Sequence, residues 1–220
     1  PNSYSGGIGT PAFLLLEKEG FSIIPKNDPL QELIANYKRH IKTTKLEDEV
    51  YKWQLVNEYK GRPDIKAIDF QKEIKSIKFG NLLYAMSIAV IYHLAKEKPE
   101  ELRLLFEYLF DESITISKRV SYFNEETLKL YRKIEGKLSH HQDERSIATY
   151  LTFHNPDKYT FYKASFYKKF CKLLGVKEAK KNGKYIHYLE LLEKFIDDYI
   201  VDDIELINQV KEIIPEYYDG

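Results

Sequence analysis

The chain holds a single cysteine, Cys171, which excludes an intramolecular disulfide and any multi-cysteine zinc site and suits a reducing cytoplasm. No run of about eighteen apolar residues occurs, so a soluble, non-membrane, cytoplasmic protein is expected. The apolar "AFLLL" near the start has no basic segment before it and no cleavage pattern after it, and is not read as a signal peptide. A phosphate-cradling loop needs Gly-x4-Gly-Lys-Ser/Thr, and "GGIG" is followed by no such lysine. Gly-x-Ser-x-Gly and His-Glu-x-x-His are missing too, which removes the serine-nucleophile elbow and the zinc-protease helix. Glycine and proline are scarce after the opening: four of ten glycines and four of eight prolines fall in the first 29 residues, which reads as an arm or linker with a possible strand at "FSII".

What is abundant is charge, at 31% of residues, and tyrosine, at 18 residues. The net charge of zero conceals a polarity along the chain. Residues 137–186 carry eleven Lys and Arg against four Asp and Glu, whereas residues 187–220 carry two against ten. The first segment is a candidate for acidic or phosphate partners, and the alternative is that the two segments neutralise one another on folding. At 220 residues the chain is long enough to bury most of the apolar surface of a core.

From residue 30 onward the pattern is helical. Leu30, Leu33, Ile34, Tyr37 and Ile41 recur at intervals of three and four. Thr44 and Glu47 fit a capping box opening a helix to about Tyr59, which Gly61 and Pro63 break. Residues 65–77 are amphipathic, and "NLLYAMSIAVIYHLAKEK" is apolar nearly all round, which predicts the central buried helix. Pro99 sits at a first turn; Leu102, Leu105, Phe106 and Leu109 share a face. "SITISKRVSYF" is read as loop, with Asn124 capping the helix closed by Gly136. Ser139 and Gln142 have capping-box spacing, so "HHQDER" is read as a first turn continuing through Leu151. A helix closed by Gly175, an exposed linker at 176–184 and two acidic helices within 185–220 complete an all-α, bundle-like domain of eight to ten helices. The organisation expected is an arm at 1–29, a main helical domain at 30–175, the linker, and acidic helices packed on the main domain.

Three kinds of chemistry compete for the polar residues. His140 and Glu144 stand one helical turn apart, with His154 further on, but without convergent ligands capping and surface hydrogen bonding are the reading retained, and no metal is expected. His40, His93 and His187 lie on helical patterns and are read as core or surface. Pro63-Asp64 followed by Glu73-x-Lys75 is similar to the motif of many restriction nucleases, whose acids hold a divalent ion; those acids sit on adjacent strands, whereas here a helix start intervenes, so coincidence is retained. Cys171 lies among apolar residues and is not read as a nucleophile. The third is nucleic-acid contact. On a wheel, Tyr162, Phe166, Phe170 and Leu173 form a stripe expected to face the core, leaving Lys168 and Lys172 opposite and Lys163 and Tyr167 beside it. Lys158, Lys163, Lys168 and Lys172 would then contact phosphates, with Tyr159 and Tyr167 stacking on or positioning bases; lysine stems covering apolar surface are the bland alternative.

The stretches "LIANYKRHIKTTKLEDEVYKWQLV", "KEIKSIKFGNLLY", "GKLSHHQDERSIATYLTFHNPDKYTFYKASFYKKFCKLLG" and "KYIHYLELLEKFI" together resemble the helical N-terminal region of McrB-like proteins, the GTP-hydrolysing AAA+ components of modification-dependent restriction systems. The resemblance spans residues 30–214 and is most specific over 137–175. It implies a module that precedes a base-binding domain of the EVE or PUA-like kind and a motor; with no Walker A loop the chain itself is not expected to hydrolyse GTP or ATP, and no catalytic residue or cofactor carries over. The function expected is that of a non-catalytic DNA-recognition or accessory module in anti-phage defence, with DNA, modified or unmodified, and an AAA+ motor or nuclease subunit as partners. The alternative is a protein-interaction adaptor docking a partner subunit or neighbouring motor domain.

Overall fold

The computed structural model describes residues 28–43, 46–136 and 138–213. The first 27 residues of the expected arm, the possible strand at "FSII" and Thr44 of the first capping box lie outside them. Ten α-helices and three 3-10 turns occur among the described residues, and no strand. They belong to two compact units divided between His40 and Ile41. The described part of the first is helix α1 (Pro29–His40), whose start is tied by the Asp28 carboxylate accepting from Leu30 N–H at 2.9 Å.

The second unit contains α2 (Val50–Tyr59), α3 (Phe70–Ser76), α4 (Ala85–Glu97), α5 (Pro99–Phe110), α6 (Ile116–Glu135), α7 (Glu144–His154), α8 (Ala164–Leu173), α9 (Lys184–Tyr199) and α10 (Ile204–Ile213). Helices α5 and α6 pack along one another, α4 lies against α3, α5 and α6, and α7 touches α2, α5, α6 and α9. The centre of the core is therefore α7, not the segment at 80–97. All eight residues Ser146–Phe153 are buried, whereas Met86 and Ala89 of α4 are exposed. Threonines hide this from a reading of periodicity. The hydroxyl of Thr149 donates to Arg145 O at 3.0 Å and that of Thr152 to Ala148 O at 2.7 Å, so both are buried with their donors satisfied inside their own helix.

Two helix starts differ from expectation. "SITISKRVSYF" is not a loop: α6 starts at Ile116 and runs for 20 residues, because Val120 and Phe123 bury one face against α5. Asn124 is accordingly a mid-helix residue and not a cap. Its carboxamide donates to Gln142 O at 2.6 Å. The predicted Ser139–Gln142 capping box does not form either. Asp143 caps α7, accepting from Arg145 N–H at 3.1 Å and Ser146 N–H at 3.2 Å.

Gln142 is instead wholly buried in the connector ahead of α7. Its Nε2 donates to Ser87 O on α4 at 2.8 Å and to His140 O at 3.2 Å, and its Oε1 accepts from the Tyr150 hydroxyl at 2.5 Å. Ser87 Oγ donates to His141 O at 2.8 Å, and His141 takes a left-handed φ of 50°. The Tyr150 ring meets Phe79, Phe106 and Phe123 at centroid distances of 5.7, 5.2 and 5.9 Å, within the range of favourable aromatic pairs. One polar knot thus joins α4, α6 and α7 in the middle of an aromatic cluster.

No helix among the described residues is long and apolar enough to cross a membrane. Helix α8 ends at Gly175 with φ 66°, where Val176 N–H returns to Cys171 O at 3.0 Å. Helix α9 packs against α7 and α8.

Two stability measurements follow from the knot. Gln142→Leu leaves the buried Tyr150 hydroxyl and Ser87 carbonyl without their partner, and urea unfolding of this variant is expected to show a loss of about 2–4 kcal/mol. His140 is buried, which holds its pKa down at about 4, with the neighbouring His141 contributing. Between pH 6.5 and 4 the unfolded chain binds a proton at this site that the folded chain does not. Stability is full above about pH 6.5 and falls as the pH drops toward 4, with a limiting slope of about 1.4 kcal/mol per pH unit for this group. His140→Gln removes that share of the slope in chemical denaturation across the window.

Candidate nucleic-acid interface

The structure separates the six residues predicted to meet nucleic acid. Tyr167 is wholly buried, so it cannot stack on a base as expected. Its hydroxyl accepts from Ala179 N–H at 2.6 Å and lies 2.8 Å from His187 Nδ1, and burial pushes that hydroxyl up to about 12. Tyr159 is buried as well: Arg119 Nη2 donates to its hydroxyl at 2.8 Å, and the hydroxyl donates to Glu112 Oε1 at 3.4 Å. Lys158 joins the same network through Glu112 Oε2 at 2.8 Å; this hydrogen bond raises the pKa of the lysine and lowers that of the carboxyl. These three side chains serve the fold around the buried Arg119, whose Nη1 also donates to Leu109 O at 2.8 Å.

The lysines that remain are Lys163, Lys168 and Lys172, all exposed, and they are joined by Lys169. None is within ion-pair distance of a carboxylate among the described residues, and no ion pair ties them to the acidic helices α9 and α10. Lys168 lies near enough to Glu178 to help lower its carboxyl pKa, though the hydrogen bond from Lys184 at 2.7 Å is the main cause. Lys177, Lys180 and Lys181, in the connector after α8, are exposed and likewise unpaired among the described residues.

Why these ammonium groups face water follows from the rotation of α8. The buried face is Tyr167 and Cys171, one residue on from the expected stripe, and Phe166 is 53% exposed instead of core-facing. Tyr162 precedes the helix and is buried, with its ring 6.0 Å from that of Tyr167. Placing Tyr167 and Cys171 inward turns Lys168, Lys169 and Lys172 outward.

At its N-terminal end α8 borders a cleft of about 690 Å³. Its wall is formed by Tyr51, Trp53 and Val56 from α2, Arg145, Thr149 and Thr152 from α7, Pro156 and residues 159–163 of the connector, Phe166, and Tyr188 from α9. Lys52 pairs with Glu49 at the rim. Arg145 is held by two carbonyls, Leu82 O at 2.7 Å and Asn81 O at 2.8 Å, and lies 4.2 Å from the centroid of the Tyr84 ring; its charge meets no carboxylate among the described residues. Lys163 lies 4.9 Å from the Phe166 ring centroid. Reading the sequence for one helix face misses this cleft because its wall comes from separate elements. The local signal is a cation set between rings, in "YKW" at 51–53 and "FYKASF" at 161–166.

The other candidate chemistries are taken up by the fold. The Glu73 carboxylate is buried, accepting from Arg62 Nη1 at 2.6 Å and from Asp64 N–H at 2.7 Å, while Asp64 accepts from Lys66 N–H at 2.8 Å. Glu73 thus holds a chain reversal, and Lys75 is exposed on α3. Glu144 accepts from Tyr185 N–H at 3.0 Å and so caps α9 from α7, and its burial raises its pKa. His140 Nδ1 accepts from Gln142 N–H at 3.2 Å, and His154 stacks on Phe110 at 3.7 Å. His40 Nδ1 lies 2.9 Å from Asn36 O, and His93 pairs with Glu135 at 2.6 Å. Among the described residues no group of three His, Cys, Asp or Glu is placed to hold a metal ion.

No family model, curated protein or solved structure matches the chain.

The burial of Tyr167 yields a test of its structural role. Tyr167→Phe keeps the ring and removes the acceptor of Ala179 N–H, so a loss of about 1–2 kcal/mol is expected in denaturant unfolding, with amide exchange accelerated at Ala179.

Proposed function

We propose that the chain is a nucleic-acid-contacting module without catalysis of its own, acting as the DNA-recognition or accessory part of a McrB-type restriction system in the cytoplasm. The observation that carries this reading is the row Lys163, Lys168, Lys169 and Lys172: exposed and unpaired among the described residues, the last three turned outward by the burial of Tyr167. Ammonium groups in that condition keep their donors for phosphate oxygens and release counterions on binding. The resemblance to the helical N-terminal region of McrB-like proteins supports the assignment to a restriction system and names the expected partner, an AAA+ motor or nuclease subunit supplied by another domain or chain. Lys158 and Tyr159, committed to Glu112 and Arg119, have no part in this reading, and Tyr167 acts by orienting the helix.

An adaptor role is the second reading. Ile196 and Ile204 on the acidic last helices, and Val201 in the turn between them, expose apolar side chains, a surface suited to a protein partner.

Gel-shift titrations at several salt concentrations separate the two. Binding of a DNA duplex is expected to weaken steeply as salt rises. Replacing Lys168 and Lys172 by alanine should lower the slope of log K against log salt by about two, and Lys168→Glu with Lys172→Glu should abolish binding while circular dichroism is unchanged. Retained binding in the reversed variant, with lost assembly on a partner subunit, favours the adaptor.

A further inference from the structure

We propose that the cleft beside α8 is a site for the unstacked bases of a single-stranded nucleic acid, with the α8 lysines following the phosphates that lead into it. The inference rests on the nucleic-acid reading above and specifies the form of the ligand.

Two observations point to it. The first is aromatic surface that the core does not use: Trp53 is 37% and Phe166 53% exposed at the cleft, where ring faces serve as sequence-tolerant platforms for bases. The second is charge. The cleft is lined by three cations, Lys52, Arg145 and Lys163, against one carboxylate, Glu49, and that carboxylate is taken by Lys52. Among the described residues Arg145 and Lys163 meet only carbonyls and ring faces, so the site is complementary to an anion that carries flat apolar groups.

A duplex does not satisfy this arrangement. Its base faces are stacked on one another, and only the base edges are open in the grooves, so rings in a cleft have no face to meet. A cleft of about 690 Å³ falls in the size range of small-ligand sites and suits a short run of bases, not a helix 20 Å or so across. Phe166 belongs to both features, standing at the cleft and opening the helix that carries Lys168, Lys169 and Lys172. A strand can therefore pass from ring to ammonium groups without leaving the surface.

The chain provides its own reporter, because its one tryptophan is Trp53. The probes are a fluorescently labelled thymine strand of about a dozen nucleotides, the same sugar-phosphate strand without bases, and the thymine strand paired with its complement. Binding is read by anisotropy of the label and stacking by Trp53 emission on unlabelled strands. The thymine strand is expected to quench Trp53 saturably, while the abasic strand and the duplex bind more weakly and leave emission unchanged. Phe166→Ala, an exposed position, should weaken the thymine strand about tenfold and leave the duplex unaffected. The proposal is overturned if the thymine strand binds with no change in Trp53 emission, if the abasic strand quenches equally, or if Phe166→Ala weakens strand and duplex alike. In each of those cases the lysine surface still binds, and the broader reading survives. Absence of binding by all three probes at low salt removes both.

Discussion

A hydroxyl and a carboxamide, those of Tyr150 and Gln142, meet at 2.5 Å inside a shell of phenylalanine rings, and the positions of the surrounding helices depend on that meeting. Apolar burial supplies most of the drive to collapse, but it is non-directional and does not fix how one helix is rotated against the next. Buried hydrogen bonds do, because a donor left unpaired in a low-dielectric interior is costly, and only one arrangement pairs all of them. Here Gln142 engages α4 through Ser87 O and α7 through Tyr150, while Asn124 ties α6 to the same residue's backbone. Three helices that could otherwise slide along their apolar faces are locked to a connector with no regular structure of its own.

The lock has consequences at the surface. With α7 fixed, Glu144 at its first turn receives Tyr185 N–H and so sets the start of α9. Helix α9 presents His187 to the Tyr167 hydroxyl, and that contact, with the one from Ala179 N–H, fixes which way α8 turns. Arg145, on the same first turn of α7, grips the carbonyls of Asn81 and Leu82 and forms part of the cleft wall. The proposed interface is thus a remote result of core hydrogen bonds: displacing α7 would change both the ring-lined cleft and the direction in which the lysines point.

Local patterns in the sequence identify the elements that depend on local physics. The helix opened by Pro99, the stop at Gly175 and the acidic last helices are legible because a fixed φ, a left-handed residue and a 3.6-residue period act within a few residues. Failures occur where a partner distant in sequence decides. Asn124 and Gln142 look like capping residues and are short-range capping candidates, yet their partners lie 18 and 55 residues away. The stripe on α8 is displaced by one residue for the same reason. Phe166 is the more apolar ring, but Tyr167 gains two hydrogen bonds from residues 12 and 20 positions later, and a wheel weighs hydrophobicity without seeing either. The cleft was least legible, since rings from α2, α8, α9 and an irregular connector converge on Arg145 of α7 with no common period.

Charge illustrates the same distinction most directly. By composition the +7 balance of residues 137–186 and the −8 balance of residues 187–220 ought to cancel on folding. Neutralisation by pairing requires more than opposite sign: it requires side chains that converge within about 4 Å, and in water an exposed pair gains too little to gather such chains by itself. Lys158 is paired because the buried Arg119–Tyr159–Glu112 network already holds a carboxylate in place beside it. Lys163, Lys169 and Lys172 have no such pre-positioned acid among the described residues. The acidic helices still lower the long-range potential over α8, an effect screened within about 8 Å at physiological salt, but they leave the ammonium donors unoccupied. It is on the free donors, more than on the regional charge, that the proposed phosphate contact depends.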